Sequence, residues 1–217
     1  MAAVRILHLH DSFDLGGKEA RSVRLMNHFG DQAEHVVISA VPDAMGARET
    51  IDKRIKVVFP GTDAPPLAGL PGMGRYRQLA RTMKKFHLVL SYNWGAMDGV
   101  MAHTLLSRSM GLPPLIHHED GFAEDEIVSL KMRRNWFRTI ALQRANALVV
   151  PSKTLEGIAR TAWHQPLEKI ARFPNGINTA QYNKRPQRGA FPGFVGAKAR
   201  LSSALSRGCA RSKTCPG

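Results

Sequence analysis

Short apolar runs alternate along this chain with longer amphipathic stretches, and that alternation restricts the fold more than any other feature. An unbroken apolar run of a few residues suits a strand buried on both faces of a sheet, and parallel neighbours need a long crossover, usually a helix. Runs at 4–9, 35–40, 55–59, 87–91, 115–118, 147–150 and 170–173 qualify as strands. Helical stretches are expected at 18–29, 75–86, 96–110, 129–145 and 152–163. Ala20, Val23 and Met26 form the expected apolar face of the first, Gly30 occupies its stop position, and Ser152 is the expected N-cap of the last. Residues 60–74, rich in Pro and Gly, form a loop. The pattern predicts an α/β fold, a parallel sheet flanked by helices.

Of the 217 residues, 43% are hydrophobic, which suits a globular domain. No apolar run reaches the roughly 18 residues of a membrane-spanning helix. Only Arg5 precedes the first apolar run, which His8, His10 and Asp11 interrupt, so no secretory signal is expected and a cytoplasmic location follows. The net charge of +14 invites a nucleic-acid partner, but eight of the 31 basic residues and none of the 17 acidic ones lie in 184–217. The remainder is mildly basic, which suits phosphate-bearing ligands or an anionic membrane surface, and no nucleic-acid partner is expected. Cys209 and Cys215 lie in the same tail, too few for a zinc site, and the body offers no disulfide framework. The composition shift after Asn183 divides the chain into an expected domain, 1–183, and an irregular basic tail, 184–217.

Ligands of open α/β sheets bind outside the carboxyl ends of the strands, so polar clusters there carry the chemistry. Gly16 and Gly17 follow the first strand and open a helix, where a ligand can approach the backbone and the helix N-terminus favours an anion such as a diphosphate. The pair can equally be a plain turn, and it lacks the third glycine of a dinucleotide fingerprint. Asn93 and Trp94 follow the fourth strand, Trp94 as core or as a packing plate for an acceptor. The densest cluster, His117 to Phe122, follows the fifth strand and includes His118, Glu119 and Asp120, where a carboxylate beside imidazoles can act as a base or stabilise charge on a sugar. The bland alternative is one buried histidine and two helix-capping acids. Successive strand residues point to opposite faces, so no metal is expected on His117 and His118 together. The basic stretch 129–145 reads as a solvated helix, with contact to lipid head groups as the alternative.

Ile6 to His10, followed by Asp14-Leu15-Gly16-Gly17-Lys18-Glu19, resembles the opening of family 4 glycosyltransferases of the GT-B fold. Ala145 to Ser152 is similar to that family's strand and helix start. Pro166 to Ile170 with Phe173-Pro174-Asn175-Gly176-Ile177-Asn178 is similar to its most specific segment, which ends the N-terminal domain. The resemblance implies that this is the N-terminal, Rossmann-like half of a GT-B enzyme, with the donor held mainly by the other half. It implies transfer from a nucleotide-sugar substrate to a glycan, lipid or other hydroxyl acceptor, retaining and independent of metal or cofactor. Gly16, Gly17 and Lys18, with Asn93 and Trp94, would line the donor-phosphate and acceptor cleft, and Asn175 and Gly176 would face the second domain. The family often places a histidine after the fifth strand; here that position falls on Asp120, with His118 and Glu119 beside it as the expected catalytic group.

The family's C-terminal domain carries two donor-gripping glutamates, and this chain has no acid after Glu168. The tail, from about residue 199, is therefore expected to be a truncated or frameshifted start of that domain, leaving a half-enzyme inactive alone. Rival readings are a non-enzymatic ligand-binding remnant, a basic nucleic-acid binder and a different Rossmann-type enzyme.

Overall fold

A computed structural model of the chain describes residues 3–70, 72–122, 126, 131–176 and 179. The chain divides into two compact units, Met1–Asn175 and Gly176–Gly217, and the fold is that of the first. The expected tail, together with Ile177, Asn178 and the start of the 129–145 stretch, lies outside the described residues.

The first unit is a seven-stranded, all-parallel sheet flanked by helices, a Rossmann-like α/β fold. In chain order its elements are β1 (Val4–His10), α1 (Gly17–Phe29), β2 (Ala33–Ser39), β3 (Val57–Val58), α2 (Met73–Met83) and β4 (Leu88–Tyr92). Then come α3 (Met97–Met110), β5 (Leu115–His118), α4 (Met132–Ala141), β6 (Ala147–Val150), α5 (Lys153–Thr161) and β7 (Ile170–Arg172). The strand order is β3-β2-β1-β4-β5-β6-β7, so the chain reverses its direction of travel between β1 and β4. All strand carboxyl ends therefore share one edge, with the reversal in its middle.

The two faces of the sheet differ. Leu7, Leu9, Val89, Leu115 and Leu148 pack with Leu79, Met83, Val100, Met101 and Leu155 of the helices in one large buried cluster. The opposite face meets α1, where Val23 and Met26 pack with Phe13 and Val37. That interface is partly polar: α1 buries Glu19 and Ser22, while Ala20, expected on the buried face, is exposed. The cause lies in β1, whose alternate residues His8 and His10 point at α1 and set its hydrogen-bonding needs.

β3 keeps two residues of the five expected, because only His35 and Val36 of β2 offer it a register. α2 starts at Met73, two residues before the expected start, and ends where Lys84 closes a turn onto Ala80. Gly30 ends α1 with φ 56°, and Ser152 caps α5 by accepting from the Leu155 amide. The solvated reading of the basic stretch fails at Arg138, which is fully buried and paired with Glu126. Among the described residues, no helix is long and apolar enough to cross a membrane.

Candidate active site

The loops after β1, β4, β5 and β7 meet at the carboxyl edge of the sheet. Two of them touch so closely that only glycine fits between: a Cβ on Gly95 would lie 2.7 Å from the Asp11 Cα. Beside it, Asn93 has φ 55°, a backbone conformation that side-chain-bearing residues rarely take and that clusters at functional sites. Its neighbours hold it there. The Asn93 amide donates to the His118 carbonyl at 2.8 Å, and its side-chain Oδ1 accepts from the Asp120 amide at 2.8 Å. Asn93 thus fixes the start of the loop after β5 to the end of β4.

Asp120 is joined to α1 and to the end of β7 through Arg21. One guanidinium nitrogen lies 2.8 Å from Asp120 Oδ1, and the other donates to the side-chain oxygen of Asn175. Burial raises the Asp120 carboxyl above its ordinary range, and Arg21 opposes that rise. Arg21 was absent from the sequence-based candidates. The available signal was its place one turn beyond Lys18, on the same face of a helix that opens at a strand end.

Gly16 and Gly17 sit exposed at the N-terminus of α1, with no side-chain cap on that helix. A Cβ on Gly16 would meet the Glu19 carboxylate at 2.6 Å, whereas one on Gly17 would meet nothing within 4 Å. Lys18 does not project freely towards a phosphate; it pairs with Asp11 and, at 3.3 Å, with Glu19. An incoming anion competes with those carboxylates for the lysine.

The three candidates after β5 occupy different surroundings. His118 stacks on Tyr92, which also stacks on His10 and His8, and His8 bonds His35 at 3.0 Å. Burial, with His117 and Arg21 adding to it, lowers the His118 imidazole to about 3, so it is neutral near pH 7. Glu119 turns into the opposite face. Its carboxylate is fully buried, 3.6 Å from His117 Nε2 and 3.4 Å from Arg138 Nε. The Arg138 guanidinium lies about 5 Å from the ring centroids of Trp94, Phe122 and Trp163 and makes two 3.1 Å bonds to Glu126. Glu119, expected beside Asp120 as a catalytic group, is thus closed off from solvent in this arrangement. Trp94 is part of the packing around Arg138 and Arg134, partly buried against Phe137. Of the three, Asp120 is the most exposed, with 12% of its side chain open, whereas Glu119 is fully buried. Asn175 and Gly176 lie beyond β7, Asn175 held by Arg21. Among the described residues, no group of three or more His, Cys, Asp or Glu is arranged to hold a metal ion.

Solved structures share the fold. Anabaena HepE in complex with UDP superposes with TM-score 0.61 at 16% identity, over 84% of this chain and 47% of that one. A glycosyltransferase from Rickettsia africae superposes with TM-score 0.54 at 11% identity, over 84% of this chain and 46% of that one. The lipopolysaccharide outer core galactosyltransferase WaaB, without ligand, gives TM-score 0.52 at 10% identity, over 80% and 46%. The chain thus spans about half the length of these structures. No curated protein matches it in sequence. Residues 15–181 match Glycosyltransferase Family 4, taking in the glycine pair, the Asn93 and Asp120 loops and the end of β7. The chain belongs to Glycosyltransferase Family 4.

Proposed function

We propose that the carboxyl edge of this sheet is the acceptor-side wall of a glycosyl-transfer cleft, used with a nucleotide-sugar donor that a second domain mainly holds. The observation that carries this is the convergence of the Gly16-Gly17 helix start, Asn93 and the Arg21–Asp120–Asn175 bridge on one edge of a family 4 domain. In the reaction the bond from the anomeric carbon to the diphosphate oxygen breaks, a bond to the acceptor hydroxyl oxygen forms, and the hydroxyl proton leaves with the nucleoside diphosphate. The Asp120 carboxylate stabilises positive charge developing on the sugar, since Arg21 opposes the neutralising effect of burial. Gly17 admits the donor phosphates or the acceptor to the start of α1, where free amides and the helix dipole favour anions. His118 and Glu119 act as positioning groups, holding the loop that presents Asp120. Residues 1–183 form the acceptor-side domain, and no resident cofactor is needed.

HepE in complex with UDP supports the nucleotide-sugar part of this reading by analogy of fold. The test is transfer and donor hydrolysis by the purified chain against UDP-, GDP- and ADP-sugars, alone and mixed with the C-terminal domain of an intact relative. The expected result is no turnover alone and turnover in the mixture, lost with Asp120→Asn. A folded chain that neither turns over in the mixture nor binds any of these donors or their nucleoside diphosphates would overturn it. Ligand binding with no turnover in the mixture would favour the rival, a ligand-binding remnant.

A further inference from the structure

The Arg21 guanidinium serves two partners at once, and they lie on segments far apart in the chain. Nη1 lies 2.8 Å from Asp120 Oδ1, in the loop after β5. Nη2 donates to the side-chain oxygen of Asn175, beyond β7. Asn175 is the last residue of the first unit, where the chain passes to the second. It is exposed, whereas Arg21 and Asp120 keep 18% and 12% of their side chains open. A planar guanidinium cannot turn one nitrogen without moving the other, so its hold on Asn175 fixes how it faces Asp120.

The contact with Asp120 is one of charge rather than a directed hydrogen bond. Arg21 Nη1 and both carboxylate oxygens of Asp120 are buried, and none has a hydrogen-bond partner among the described residues. That contact therefore does little to orient the guanidinium, and the bond to Asn175 does so instead. The other groups around Asp120 do not replace Arg21. Lys18 of α1 is engaged by Asp11 and Glu19. Glu119 is itself an acid, with His117 beside it. His118 is neutral near pH 7, and burial keeps the Tyr92 hydroxyl protonated. Arg21 is the strongest cation acting on Asp120, ahead of His117 and Lys18.

We propose that Arg21 is a positioning residue that couples the exit of the chain from the first unit to Asp120: Asn175 seats the guanidinium against the carboxylate, and loss of that seat withdraws it. The consequence follows from sign. Burial favours the neutral carboxyl and Arg21 opposes it, so withdrawal lets burial prevail and Asp120 takes up a proton from solvent more readily. An exposed side chain at the end of the unit thereby sets the charge of a buried one. The coupling stands on this geometry alone. Its meaning for glycosyl transfer rests on the proposed function, in which the Asp120 carboxylate stabilises charge on the sugar.

The experiment is carbon-13 NMR of the Asp120 carboxyl in the full chain labelled at aspartate, titrated with acid and assigned through Asp120→Asn. Arg21→Met should raise the titration midpoint of Asp120 by about 1–3 pH units. Arg21→Lys, which keeps the charge without the planar fork, should restore part of that difference. Asn175→Ala, at an exposed position that the fold does not need, should raise the midpoint by less than Arg21→Met. The Arg21→Met/Asn175→Ala chain should match Arg21→Met, because Asn175 acts through Arg21. Sign separates this from simple loosening, which would admit water and lower the midpoint towards its ordinary range. A midpoint that falls in Arg21→Met, stays at the parent value in Asn175→Ala, or rises further in the double variant would overturn the inference. In the two-domain mixture, the acidic limb of the turnover–pH profile should move with the NMR midpoint, and a limb that stays put would end the link to transfer. Midpoints that move as expected in a chain whose mixture never turns over would sink the proposed function and uphold the coupling.

Discussion

Two glycines at the cleft answer to different demands, and substituting each separates them. Gly95→Ala forces a Cβ against the Asp11 backbone, which cannot yield as a flexible side-chain tip would. It should cost about 1–3 kcal/mol of stability, read as a lowered urea midpoint. Gly17→Ala meets open space, so its midpoint should stay within about 0.5 kcal/mol of the parent. Its effect should appear in binding instead, as weaker affinity for nucleoside diphosphate in the two-domain mixture. If the two substitutions behaved alike in both assays, close packing and ligand approach would not be the distinction between them.

The histidines beneath this edge make a pH prediction. Burial lowers His8, His10 and His118, the last to about 3, while an unfolded histidine titrates near 6.5. Below that unfolded value the unfolded chain takes up protons that the fold excludes, so stability is complete above it and falls as pH drops. For His118 the loss continues towards pH 3. Each histidine contributes up to about 1.4 kcal/mol per pH unit inside its window. Urea midpoints measured from pH 7 downward should therefore fall, and His118→Phe, which keeps a ring on Tyr92, should flatten the slope. An unchanged slope in that variant would remove His118 from the account.

Among the elements, strands were the most legible part of the sequence, because short, mostly apolar runs recur between longer amphipathic stretches and are bounded by turn residues. Even there β3 shrank, since its extent depends on what β2 offers rather than on its own residues. α1 was legible in position but not in its buried face: periodicity alone favours Ala20, whereas the helix buries Ser22 against His8 and His10, and Glu19 beside Lys18. The strand-end rule put Asn93 and Asp120 at the carboxyl edge of the sheet, but could not separate three consecutive residues, His118 to Asp120, by burial. That separation comes from the pleat, which sends Glu119 to Arg138 and His118 to Tyr92. Arg138 itself read as one more charge on a basic helix, because its partners Glu119 and Glu126 lie in another segment. Arg138→Met should leave Glu119 buried without a guanidinium and Glu126 with Arg134 alone, and cost about 3–5 kcal/mol, measured as loss of the cooperative urea transition or a large drop in its midpoint. A loss below 1 kcal/mol would mean that Arg134 compensates.

At the scale of the whole molecule, an all-parallel sheet sets every strand's carboxyl end on one edge. The loops there bring Asn93, Asp120 and Asn175 within reach of one helix, through Arg21 of α1.

The enclosure of Arg138 by two carboxylates and three rings bears on how such a domain can change over generations. Losing the cation first strands Glu119, and losing an acid first weakens the hold on the cation. Each single step passes through a weaker protein, although a wholly apolar filling of the same space could be sound. The cluster is thus a historical lock: once assembled it is released only by coordinated replacement, and descendants inherit it together.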